Sequence, residues 1–133
     1  GSVEMFVGDV LSTASEKARK NFENLEWGGG LFTREGSRKI EVRQNTLDVI
    51  LQESNFQKDF DVLVIDVEGY EWEVLRNFEI NNWNPKMVII ELHDMNANYA
   101  VLKGECENIV KYFYDNDYRV ALKDTTNTVY IKR

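Results

Sequence analysis

The chain has 133 residues, a formal net charge of −7, one cysteine and one histidine. That length fits one domain with a real core, and the acidic balance argues against tracking a nucleic-acid backbone, which needs clustered Lys and Arg. A single Cys106 excludes an internal disulfide and, with one histidine, a zinc-finger-like site, so a reducing, cytoplasmic setting fits. No stretch approaches the ~18 apolar residues of a membrane span. Gly1-Ser2 reads as a cloning remnant, leaving residues 3–133 as a single domain.

In chain order, residues 3–7 form a short candidate strand ending at Gly8-Asp9. Residues 12–25 place Ala14, Ala18 and Phe22 at helical spacing in a polar background. Trp27-Gly28-Gly29-Gly30-Leu31 reads as a flexible stretch. Residues 39–43 alternate like a half-exposed strand. Asn45 or Thr46 can then cap a helix with Leu47, Ile50 and Leu51 on one side. Val62-Leu63-Val64-Ile65 is a continuous apolar run, as in a buried parallel strand, and a helix through Phe78 follows it. Asn84-Pro85 breaks the chain before Met87-Val88-Ile89-Ile90, a second apolar strand. Cys106, Ile109, Val110 and Phe113 give a helical stripe. Residues 118–122 and 128–131 close the chain as a hairpin.

The most telling segment is Asp66-Val67-Glu68-Gly69, between the first apolar strand and its helix. Open α/β sheets place their chemistry at the carboxyl ends of strands, and carboxylates are costly to bury there without a partner. Asp66 can cap the following helix, and Glu68 and Glu71 can complement its dipole. The functional alternative makes Asp66 and Glu68 a proton acceptor, a substrate anchor or metal ligands. Glu91-Leu92-His93-Asp94 forms a second cluster at the end of the next apolar strand. Alternation puts Glu91 and His93 on one face and Asp94 on the other. His93 beside a carboxylate suits a general base, or a histidine that holds a loop by hydrogen bonds. The spacing is not diagnostic of a metal site, and none is assigned. Cys106 and the tryptophans Trp72 and Trp83 read as core residues.

The run from Val62 through Glu71, with Val74-Leu75 and then Val88-Ile89-Ile90-Glu91-Leu92-His93, resembles the core signature of FkbM-type S-adenosylmethionine-dependent methyltransferases. Thr46-Leu47-Asp48 resembles the short segment before that strand in the family, and Phe6-Val7-Gly8-Asp9 resembles the end of its third strand. The resemblance implies an α/β, Rossmann-like class I methyltransferase sheet, mostly parallel with a C-terminal antiparallel hairpin. It implies methyl transfer from S-adenosylmethionine to a hydroxyl of a small-molecule or sugar-type acceptor. Asp66, Glu68, Glu91 and His93 would line the acceptor side, and Gly8 and Asp9 the cofactor side.

The family's glycine-rich turn after its first strand has no good counterpart, because Gly28-Gly29-Gly30 lacks an apolar strand before it. The chain therefore reads as a partial domain lacking the first strands, whose cofactor binding on its own is in question. The second reading is a non-catalytic methyltransferase-fold fragment or interaction module. A metal-dependent nuclease on Asp66 and Glu91 ranks last, since Leu92-His93 stands where such sites carry a lysine. Without the first strands, residues 62–65 would leave a sheet edge open. That edge is expected to be covered by residues 3–7 or by a second copy in a homodimer.

Overall fold

In the computed structural model, which describes residues 1–8, 11–26 and 39–133, strands and helices alternate along the chain. The first part contains β1 (Ser2–Phe6), α1 (Glu16–Glu23), β2 (Lys39–Arg43) and α2 (Leu47–Glu53). Next come β3 (Val62–Ile65), α3 (Glu71–Leu75), α4 (Ile80–Trp83) and β4 (Met87–Glu91). A 3₁₀ helix (Ala97–Leu102), α5 (Lys103–Asp115), β5 (Tyr118–Lys123) and β6 (Asn127–Lys132) complete it.

The main sheet has the order β3-β4-β6-β5. β3 and β4 are parallel, joined by the crossover that contains α3 and α4, with Val62 opposite Met87 and Ile65 opposite Ile90. β6 runs antiparallel to both β4 and β5. The hairpin is therefore as predicted, but the sheet is mixed and not mostly parallel. Parallel neighbours need a crossover of a dozen or more residues, and among the described strand pairs only β3 and β4 are parallel.

β1 does not cover β3. It pairs antiparallel with β2 in a separate two-stranded sheet, Ser2 opposite Arg43 through Phe6 opposite Lys39. Glu4 stands opposite Glu41, and the diagonal Lys39 reaches it at 3.2 Å, which offsets the like-charge pair. The expectation that residues 3–7 close the β3 edge is thus overturned.

α5 and the crossover helices cover one sheet face. Leu75, Val88, Ile90, Ile109, Phe113 and Tyr130 are buried in the core, and Phe113 stacks on Tyr130 at 4.0 Å. Burying one such side chain contributes about 1.5–3 kcal/mol. Cys106 is buried among them, as predicted, while Val110 turns outward. Thr46 caps α2 by accepting the Val49 N–H, and Leu51 is buried, but Ile50 is exposed.

The helix predicted through Phe78 stops at Leu75. The Phe78 ring enters the core, and its carbonyl accepts the Tyr112 hydroxyl at 2.8 Å. Trp83 in α4 is buried, and its indole N–H donates to Asp48 at 2.8 Å.

Candidate active site

The turn after β3 is shaped by two consecutive left-handed residues, Glu68 at φ +52° and Gly69 at φ +85°. Glycine adopts that conformation freely, whereas glutamate does not, so Glu68 has to be held there. Glu71 does part of this work. Its buried carboxylate reaches back from the first turn of α3 and accepts the backbone N–H groups of Val67 and Gly69, both at 3.1 Å. Gly69 also lies against α1, because a Cβ there would sit 2.5 Å from the Ala18 Cβ.

This turn brings three of the predicted residues together. Asp66, Glu68 and Glu91 each offer a carboxylate oxygen, and these lie within 4.8 Å of one another. Such a group could present oxygen ligands to a hard divalent cation, although exposed acids also gather without one. Burial raises the Asp66 carboxyl above its ordinary range, and the neighbouring Glu91 charge adds to it. Glu68 moves furthest, to about 7, pushed up first by burial and then by the charges of Glu91, Asp66 and Glu71. Burial likewise raises Glu71, against the pull of the N–H groups it accepts.

His93 stands beside this cluster on the same face as Glu91, as alternation predicts. Its Nε2 is 2.9 Å from Glu91 Oε1, and its ring stacks on Tyr99 at 3.9 Å and 8°. Burial lowers the imidazole pKa, but the bond to Glu91 and the surrounding acids outweigh it, and the net shift is upward. Nδ1 is buried and finds no hydrogen-bond partner among the described residues. One ring nitrogen is thus engaged by Glu91 and the other is buried. Asp94 faces the other way and pairs with Lys123.

A small cavity of about 10 Å³ lies between Gly69, Glu91, His93 and the α5 residues Glu105 and Cys106. That is room for about one water molecule.

The cofactor-side residues are not brought to the cluster in the same way. Gly8 is buried, and its N–H donates to Ser12 Oγ at 3.1 Å. Asp9 lies outside the described residues, as do Trp27 and Gly28-Gly29-Gly30. At Gly69, the glycine between β3 and α3, the place of a side chain is taken by Ala18. Of the two residues assigned to the cofactor side, only Gly8 is therefore placed.

Two residues escaped sequence reasoning. Glu71 reads in the sequence as a complement to the helix dipole, whereas its carboxylate accepts two N–H groups of the turn before α3. Thr13, which donates to the Glu68 carbonyl at 2.7 Å, gave no signal, because that contact joins residues far apart in sequence.

No curated protein and no solved structure matches the chain. The family model for the methyltransferase FkbM domain matches residues 1–120, a span that includes the β3 turn, Glu91 and His93. The chain belongs to the FkbM methyltransferase family.

Proposed function

We propose that the Asp66–Glu68–Glu91 cluster is the acceptor side of an O-methyl-transfer site, with Glu68 as general base. The observation that carries this reading is the gathering of three carboxylates within 4.8 Å behind β3 and β4, where burial and neighbouring acids raise the Glu68 carboxyl to about 7. A base is most effective when its pKa lies near the working pH. The proton of an acceptor hydroxyl would pass to the Glu68 carboxylate as the oxygen becomes nucleophilic. Asp66 and Glu91 keep that proton's affinity high, and His93 fixes Glu91. Family membership supports S-adenosylmethionine as the methyl donor and a small-molecule or sugar-type hydroxyl as acceptor. A labelled-methyl transfer assay over a panel of hydroxylated acceptors tests it. Glu68→Gln is expected to lower turnover by ~10²–10⁴-fold; unchanged turnover would remove Glu68 from the chemistry.

A second reading is supported by the sequence, which has no glycine-rich turn between an apolar strand and a helix. The chain would then keep the fold and serve as a non-catalytic interaction module. Calorimetric titration with S-adenosylmethionine separates the two readings, since measurable binding excludes the module.

A further inference from the structure

Thr13 is 1% exposed, although it is a polar residue in a connecting segment. Its backbone exchanges two hydrogen bonds with Phe6 of β1, at 2.8 and 3.1 Å. Its hydroxyl accepts the Ser15 N–H at 3.0 Å and donates to the Glu68 carbonyl at 2.7 Å. A threonine hydroxyl has a single hydrogen to donate. With Ser15 supplying an N–H, that hydrogen is left for Glu68. Ser15 in turn caps α1 by accepting the Ala18 N–H at 3.1 Å, and the Ala18 methyl fills the space over Gly69.

Glu68 stands in a conformation that costs a non-glycine residue about 1 kcal/mol or more, so it persists only where its surroundings fix it. Glu71 holds the N–H groups on either side of Glu68, at Val67 and Gly69. The carbonyl of Glu68 itself is held by Thr13.

We propose that Thr13 is a positioning residue for Glu68, its hydroxyl holding the left-handed turn that directs the Glu68 carboxylate toward Asp66 and Glu91. This rests on the reading of that cluster as the functional site. It adds that the β1–α1 unit, distant in sequence, sets the geometry of the β3 turn. Thr13→Val keeps the side chain's shape and removes the donor, while Thr13→Ser keeps the donor.

NMR of the full chain reads the outcome without any substrate. Thr13→Val is expected to average the left-handed backbone shifts of Glu68 and to abolish side-chain contacts between Glu68 and Glu91. It should also speed exchange of the Gly69 amide by about tenfold, the scale of one lost hydrogen bond. Thr13→Ser should leave all three unchanged. The proposal is overturned if Thr13→Val matches the native protein, or if Thr13→Ser fails as Thr13→Val does. Should Thr13→Val not fold, the native protein still decides. A single fixed Thr13 χ1 rotamer with a slowly exchanging hydroxyl proton supports the bond, and rotamer averaging overturns it. These measurements read position, whereas the methyl-transfer assay with Glu68→Gln reads chemistry, so the two claims fail separately.

Discussion

At the scale of the residue, Glu68 concentrates the costs and the uses of the site. Its carboxyl is moved from an ordinary 4.5 to about 7, so the folded chain holds that proton more tightly than the unfolded chain does. A raised acid of this kind stabilises the fold at low pH, and the stabilisation is lost as pH rises through 7. His93, also raised, acts in the same direction. Urea unfolding is therefore expected to show stability rising as pH falls from about 8 to about 5. After discounting for the partial exposure of Glu68, the gain is on the order of 1–2 kcal/mol. Glu68→Gln should flatten that slope and stabilise the chain at the alkaline end. A slope of opposite sign would contradict the electrostatics. That Asp66, Glu68, Glu91 and His93 are neighbours was legible, because they stand at or just past the carboxyl ends of two apolar strands. Their division of labour was not. Which histidine nitrogen is engaged, and how far a carboxyl is buried, depend on Tyr99 and Glu71 coming close in space.

At the scale of the element, the strand–turn–helix from β3 to α3 depends on a close fit with α1. Gly69→Ala would add a methyl 2.5 Å from the Ala18 Cβ at a φ of +85°. Strain and overlap together are expected to cost about 2–4 kcal/mol in chemical denaturation. Ala18→Gly in the same chain should recover the overlap but not the strain, giving a favourable coupling in a double-mutant cycle. Strict additivity would mean that the two elements do not touch. The strands, the Thr46 cap and the hairpin were readable because short-range chemistry sets them. The partner of β1 was not, since apolar alternation marks a strand without naming its neighbour. The end of α3 also escaped, because Phe78 leaves the helix to fill a core position that exists only after folding.

At the scale of the molecule, the outer strand β3 of the main sheet has a strand neighbour on one side only among the described residues. β3 pairs on one side with β4 only and ends the sheet there, with Val62 46% and Val64 64% exposed. By alternation and register, Met87, Ile89, Val129, Ile131 and Leu122 share their face. A fully apolar strand is at home in a sheet interior, and an open apolar edge invites pairing with an identical edge. We propose a homodimer closed at β3. Light scattering is expected to give twice the chain mass, and Val64→Lys to return a folded monomer. A native chain that stays monomeric at high concentration would rule this out.

The central claim, that the acids behind β3 and β4 form one electrostatic unit with Glu68 as its proton acceptor, is most directly tested by carbon-detected NMR titration of the Glu68 carboxyl. The expected result is a midpoint near 7 that falls when Glu91 is replaced in Glu91→Gln. A midpoint in the ordinary carboxylate range, unmoved by that substitution, would contradict it.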